Sequence, residues 1–401
     1  MVSNCIPFRL PSAGVEVCLQ PMPHLFTPFP LRGVTLANRV MVSPMAQYSA
    51  EHGLITDWLF GHYGRLAMGG AGLVFTEAVK VEERGLGTDG DMGLWNEEQI
   101  APLRRVTALI RQAGAIAGIQ LNHAGRQAGR SPPWEGRGAL PVGVMQRRDQ
   151  GWPVIGPSPI AKAPGFHVPV AMTLADIADM CAVWAAAARR AVAAGFQVLE
   201  LHGGHGYLIH QFLSPAANQR TDGYGGSAKN RMRFALEIAE AVRACWPADR
   251  PLFFRMSVID EGGWHFEDSV VLARELKHAG VDLIDCTSGG IAKATPTDAR
   301  NVAPGFQVEL ARGIRSAAAI PTAAVGLITE ARHAERIVAA GEADLVGIGR
   351  AFLYDPFWAL HAGVELGADP AFERFPLQYG WWLNRRRAQL EREGSDNQSA
   401  S

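Results

Sequence analysis

The segment Ala194-Gly195-Phe196-Gln197-Val198-Leu199-Glu200-Leu201-His202-Gly203-Gly204-His205-Gly206-Tyr207 contains the unit from which this chain is built. A glycine stop comes first, then a short apolar run, then a polar turn rich in glycine. Glycine just past the last helical residue is the usual way a helix ends before a strand. Phe196 to Leu201 reads as a short buried strand. Ahead of it, Thr173-Leu174-Ala175-Asp176 has the spacing of a capping box, and a helical pattern runs on through Met180 and Trp184 to Val192.

The same unit recurs along the chain. Apolar runs lie at Arg39–Val42, Leu73–Phe75, Ile116–Leu121, Phe196–Leu201, Pro251–Met256, Val281–Cys286, Ile320–Val325 and Asp344–Ile348. Helical patterns separate them, and Ala71-Gly72, Ala113-Gly114, Ala194-Gly195, Ala279-Gly280 and Ala340-Gly341 punctuate most of the joins. Strands that alternate with helices imply a parallel sheet, and eight of them imply a closed (β/α)8 TIM barrel of the α/β class. The structural rival is an open doubly wound sheet, but no G-x-G-x-x-G follows the first strand. Three segments are expected: an N-terminal extension 1–23, the barrel 24–384 and a polar C-terminal tail 385–401. Within the barrel, His123 to Met172 is a long excursion rich in Pro, Gly and Arg, and loops of that length usually serve function.

Composition narrows the function. The 401 residues are 48% hydrophobic and 19% charged, with a formal net charge of −1, which lacks the basic footprint of a nucleic-acid binder. No apolar run approaches the ~20 residues of a membrane span, and the first twenty positions read as no signal peptide. The five cysteines are scattered, odd in number and without C-x-x-C spacing, which argues against a zinc or iron–sulfur site and for a reducing cytoplasm.

Barrel sites lie at the C-terminal ends of the strands. Those ends present Ser43-Pro44-Met45-Ala46-Gln47-Tyr48, Thr76-Glu77-Ala78, Gln120 with Asn122 and His123, His202 with His205 and Tyr207, Arg255, Thr287-Ser288-Gly289-Gly290, Val325-Gly326 and Gly347-Ile348-Gly349-Arg350. The last two suit a phosphate, because glycines let backbone N–H groups approach an anion and Arg350 adds a charge. Arg255 reads as a ligand contact or a structural ion pair. His202 and His205 are three apart, so in an extended strand they would face opposite ways. Gly203-Gly204 is expected to break that geometry and let both rings converge, with Tyr207 close behind. From these residues alone, core packing, a metal site and acid catalysis stay open.

Taken together, several ordered motifs resemble the Old Yellow Enzyme family, in its thermophilic-like branch. They are Ser43-Pro44-Met45, Gly118 to Arg126, His202-Gly203-Gly204-His205-Gly206-Tyr207 continuing to Pro215, Asn218 to Ser227, and Gly349-Arg350. The resemblance implies FMN at the barrel mouth, NADPH or NADH as reductant, and reduction of an electron-poor alkene by an ene-reductase. It implies that Ser43, Pro44, Met45 and Ala46 line the flavin, that Ala78 and Gln120 contact its ring, and that Arg255 faces its pyrimidine side. Gly326, Gly349 and Arg350 would hold the phosphate, and Tyr48 would border the substrate. His202 and His205 would bind the substrate carbonyl oxygen while Tyr207 supplies a proton.

Two features depart from the branch. Ala46 stands where a cysteine is common, and the C-terminal segment reads Gln378-Tyr379-Gly380-Trp381-Trp382. Those tryptophans either reach a neighbouring subunit of a homodimer or higher homo-oligomer, or pack on their own barrel. Competing readings are a metal-dependent barrel hydrolase using His202, His205 and Asp285, and a flavin-binding protein without turnover. An iron–sulfur dienoyl-CoA reductase or amine dehydrogenase of the same fold lacks its cysteine cluster here.

Overall fold

The structure, a computed structural model, describes residues 22–136, 138–140, 153–291 and 302–399. The expected extension 1–23 lies almost wholly outside the described residues. An antiparallel hairpin, Phe29–Leu31 (β1) with Val34–Leu36 (β2), precedes the barrel. Eight parallel strands then close on themselves: Val40–Val42 (β3), Leu73–Lys80 (β4), Ile116–Asn122 (β5), Val198–Gly203 (β8), Leu252–Ser257 (β9), Leu283–Thr287 (β10), Thr322–Ala324 (β11) and Leu345–Ile348 (β12). The excursion between β5 and β8 carries a two-stranded piece, Ile155–Gly156 (β6) with Val170–Ala171 (β7). The barrel forms because these runs are apolar on both faces, one turned to the helices and one to the interior.

Helices Asp57–Ala67 (α1), Ile100–Gln112 (α2), Leu174–Ala193 (α3), Ala228–Cys245 (α5), Phe266–His278 (α6), Val308–Ala318 (α7) and Ala331–Ala339 (α8) surround the strands, and a short helix, Leu208–Leu213 (α4), follows β8. The helix α3 begins in the expected capping box, with Thr173 and Asp176 each bonded to the other's backbone N–H. Such a cap stabilises a helix start by about 1 kcal/mol. Outward strand residues such as Val42, Ile119, Leu201 and Ile284 pack with helix residues such as Leu59, Ile110, Trp184 and Ile238 in the main core.

Inside the barrel, side chains alternate with period two and form layers. Met41, Leu73, Phe75, Val198, Phe253, Leu283, Ala323 and Leu345 fill the lower interior, and Phe29, Val34 and Leu36 of the hairpin cluster with them. The hairpin therefore stoppers the end opposite the expected site. One residue pair higher on the strands the interior turns polar.

Several local expectations change. Before β4 the left-handed glycine is Gly70 (φ +83°); Gly72 instead faces Asn38, whose carbonyl would lie 2.4 Å from an added Cβ. The polar C-terminal stretch from 385, in which no helix was expected, continues a helix, Leu377–Ser399 (α11), reached through Arg350–Tyr354 (α9) and Trp358–Glu365 (α10). Among the described residues, no helix is long and apolar enough to cross a membrane.

Candidate active site

Strand register decides which side chains meet. Gln120 pairs with Glu200, His202 with Arg255, and Arg255 with Asp285 across β5, β8, β9 and β10. Glu200, Arg255 and Asp285 each lie two residues beyond an interior apolar residue, and Gln120 and His202 four beyond Ile116 and Val198, so all point inward. The result is a buried polar layer above the apolar one. Gln120 Nε2 donates to Glu200 Oε1 at 2.7 Å, and Arg255 Nε stands 3.4 Å from Asp285 Oδ2. Burial, with the neighbouring Asp285 charge, pushes the Glu200 carboxyl up to about 8. Burial likewise raises Asp285, against the pull of Arg255.

The histidine turn crowns this layer. The strand ends at Gly203, and His205 itself adopts the left-handed region at φ +55°, followed by Gly206 at +73°. Gly203 and Gly204 are needed for space, since an added Cβ would lie 2.1 Å from Phe254 Cζ or 3.0 Å from Ser257 N. The expectation that these two glycines supply the unusual dihedrals is thus corrected: the break is at His205. Ser257 Oγ accepts the His205 N–H at 3.0 Å and anchors the strained residue.

Both rings converge. His202 Nε2 and His205 Nδ1 are 3.3 Å apart, and the Tyr207 ring centroid is 4.9 Å from that of His202. His202 Nδ1 accepts the Gly204 N–H at 3.2 Å, so its proton sits on Nε2. Gln307 Nε2 donates to Thr287 Oγ1 at 3.1 Å, and Thr287 Oγ1 lies 2.9 Å from His205 Nε2. With the threonine hydroxyl donating to Nε2, the His205 proton sits on Nδ1. Two N–H groups face one point, where an oxygen would receive both. Burial, with His205 and Arg255 nearby, holds His202 well below the usual imidazole range, and burial with Arg255 does the same for His205. Both rings are neutral donors.

A cavity of about 620 Å³ opens at this rim. That is within the ~300–1,000 Å³ of typical small-molecule sites. Every residue to which the resemblance gave a flavin, substrate or catalytic role lines it: Ser43, Pro44, Met45, Ala46 and Tyr48 after β3, Ala78 on β4, Gln120 on β5, His202, His205 and Tyr207, then Arg255, Gly326, Gly349 and Arg350. Gln47, Thr76, Glu77, Asn122 and His123, also read at the strand ends, are not among its lining residues. A register shift between Phe75 and Ala78 sets where Ala78 falls on β4. The residues fit the flavin that the resemblance implies. Ser43 Oγ and Arg255 Nε are buried on the cavity wall without a hydrogen-bond partner, as the polar edge of a flat ring would require. Gly326, at φ +120°, and Gly349 leave backbone open at the opposite rim, where Arg350 adds a cation.

The wall also includes residues that sequence reasoning left without a role. Gln307 and the pair Thr287 and Ser288 form one hydrogen-bonded set. Gln127, Arg130, Lys162 and Phe166 come from the long excursion. Only the length of that loop signalled them. Asp285 does not join the histidines as a metal ligand set; it faces Arg255, and no group of three or more His, Cys, Asp or Glu is placed for a metal among the described residues.

Residues 24–367 match the model of the "NADH:flavin oxidoreductase / NADH oxidase family". The chain is 42% identical over 350 residues to an NADPH dehydrogenase of Listeria monocytogenes, covering 86% of this chain and 96% of that one. It is 42% identical over 365 residues to an NADPH dehydrogenase of a Geobacillus species, covering 89% and 98%. Among solved structures it is similar to a 2-naphthoyl-CoA reductase in complex with 2-naphthoyl-CoA, with a TM-score of 0.75 and 27% identity over 86% of this chain. The match spans about half of that reductase, 52% of its length. Morphinone reductase, with a TM-score of 0.72 and 24% identity over 86% of this chain and 90% of its own, shares the fold.

Proposed function

The chain belongs to the NADH:flavin oxidoreductase / NADH oxidase family, the Old Yellow Enzyme lineage, and from that premise we propose that this FMN-dependent oxidoreductase is an ene-reductase. Its substrates would be α,β-unsaturated carbonyl or nitro compounds, and its reductant NADPH or NADH. Bound FMN supplies a two-electron carrier between the nicotinamide and the alkene. The observation that carries the reading is the 3.3 Å approach of two neutral imidazole N–H donors beside a tyrosine, over a cavity with a flavin-compatible wall.

In this reading Ser43, Pro44, Met45, Ala46, Ala78 and Gln120 hold the flavin ring. Arg255 answers negative charge at its pyrimidine edge, and Gly326, Gly349 and Arg350 hold the phosphate. His202 Nε2 and His205 Nδ1 bind the substrate oxygen and meet the charge that develops there. Each such preorganised donor is worth ~10²–10³ in rate. Tyr207 delivers a proton to the α-carbon, and Tyr48, edge-on to Trp134 at 5.6 Å, closes the substrate side.

Assembly and location follow the same reading. Trp381 and Trp382 are 51% and 67% exposed on α11 and lie edge to face on each other. That supports a homodimer or higher homo-oligomer built on this helix. The free thiols of Cys181, Cys245 and Cys286 suit a reducing cytoplasm.

The test is direct. Purified protein should be yellow, bleach with NADPH without oxygen, and recolour when a neutral enone is added. Recolouring at the same rate with and without enone would leave a flavin-binding protein with no ene-reductase turnover.

A further inference from the structure

The cavity wall formed by the long excursion carries two cations that hold neither the flavin nor the substrate oxygen in the reduction just proposed. Lys162 Nζ donates to Gly290 O at 2.7 Å and to Ile291 O at 3.0 Å. An ammonium has three donors, so one is left over. Gly290 is pressed against the histidine turn: a Cβ on Gly206 would lie 2.2 Å from its oxygen, and a Cβ on Gly290 would lie 2.6 Å from His205 Cα. The ammonium is therefore held one peptide away from an imidazole that faces the substrate. Arg130 comes from the other side, with Nη1 donating to Gln127 Oε1 at 3.1 Å and Nη2 to the Tyr207 hydroxyl at 3.2 Å.

Among the described residues the hydrogen-bond partners of these cations are neutral: two carbonyls hold Lys162, and an amide and a phenol hold Arg130. Against the cost of burial, the Tyr207 and Asp91 charges keep the Arg130 guanidinium above its usual range. Asp91 itself is bonded to Lys80 at 3.3 Å and accepts from Gly87, Thr88 N and Thr88 Oγ1. Lys162, held by carbonyls alone, is the costlier charge, and a ligand anion would offset that cost.

We propose that Lys162 and Arg130 form an anion subsite, which takes a carboxylate or phosphate on the molecule whose oxygen rests on His202 and His205. The inference builds on the ene-reductase reading and adds an anionic group to one of the two molecules that reading brings to the cavity. The charge belongs either to the alkene itself or to the nicotinamide nucleotide. Burial, then the nearby Arg126 and Arg130 charges, lower the Lys162 ammonium to about 8, and only Glu261 opposes them. Preference for an anion is therefore full near neutral pH and fades as pH rises through about 8.

The experiment uses FMN-loaded wild type and Lys162→Met, with 4-hydroxybenzoate and its neutral counterpart 4-hydroxybenzamide titrated against the flavin spectrum at pH 7 and pH 9. Wild type should favour the benzoate at pH 7 and lose much of that preference at pH 9. Lys162→Met should cut the preference about tenfold, remove the pH step and bind the amide as before. If the phenol ratio is unchanged but NADPH binds about tenfold more weakly to Lys162→Met, the nucleotide phosphate is the anion. If neither quantity moves, the subsite does not exist. The amide alone reports on the histidines: amide binding that ignores His202→Ala sinks the ene-reductase reading, while the anion ratio still decides this one.

Discussion

Arg130 Nη2 donates a hydrogen bond of 3.2 Å to the Tyr207 hydroxyl oxygen. A phenol oxygen that accepts from a guanidinium keeps its own proton free for another partner, here the cavity that Tyr207 lines. The phenolate left after donation would face the same cation. Replacing Tyr207 with Phe should slow reoxidation of the reduced protein by a neutral enone by ~10²–10⁴. Reduction by NADPH should be unchanged, and stopped-flow absorbance separates the two half-reactions. Arg130→Met should slow the same half-reaction, by a smaller factor.

Neutral imidazoles predict a pH dependence of stability with a definite sign. His202 and His205 are held well below the usual range when folded, while an unfolded histidine titrates near 6.5. Below that pH the unfolded chain binds the extra protons, so their contribution is intact above about 6.5 and is lost as pH falls. Denaturant titrations at pH 8 and pH 5.5 should show the drop, and His202→Asn with His205→Asn should reduce it. For the same reason, turnover of a neutral enone should show no imidazole inflection between those pH values.

Glu77 predicts the opposite slope. It lies buried within β4, at the register shift between Phe75 and Ala78, where Oε2 accepts the Gln47 N–H, Oε1 has no partner, and burial raises the carboxyl to about 8. The folded protein keeps a proton that the unfolded chain gives up above about 4.5, so stability falls between those values as pH rises. Glu77→Gln keeps an acceptor for Gln47 and removes the titration. It should stabilise the protein by about 3 kcal/mol at pH 7, from ~1.4 kcal/mol per pH unit, and by little at pH 5. Equal gains at both pH values would show that Glu77 is ionised in the fold.

Ala46 lines the cavity, at the position where the resemblance read from the sequence leads to the expectation of a cysteine. Ala46→Cys should shift the flavin midpoint potential. Identical redox titrations of the two proteins would show that this position does not tune the cofactor.

The barrel was legible because each strand is a buried apolar run set between a helix stop and a polar turn, and both signals are local. That these strand-end residues share one cavity was legible for the same reason, since strand ends in a barrel share one rim. His205 shows the boundary of such reading. The sequence offered glycines as the flexible residues, yet packing of Phe254 and Ser257 on Gly203 and Gly204 forces the left-handed turn onto the histidine. Gln307 was not legible, and Arg130 and Lys162 were signalled only by the length of their loop. They reach the cavity from a loop or a helix approach with no periodicity, and tertiary contacts alone bring them there. The C-terminal helix was missed because a charged, polar segment carries no apolar stripe to mark it.

The central claim is that His202 and His205 place two N–H donors on one ligand oxygen. It is tested most directly by titrating FMN-loaded wild type, His202→Ala and His205→Ala with 4-hydroxybenzamide, with flavin content measured in each sample. Each truncation should weaken binding about 10- to 100-fold, the worth of one hydrogen bond to a developing charge, with one FMN retained per chain. Equal affinity in all three proteins, or loss of flavin together with the histidine, would contradict the account.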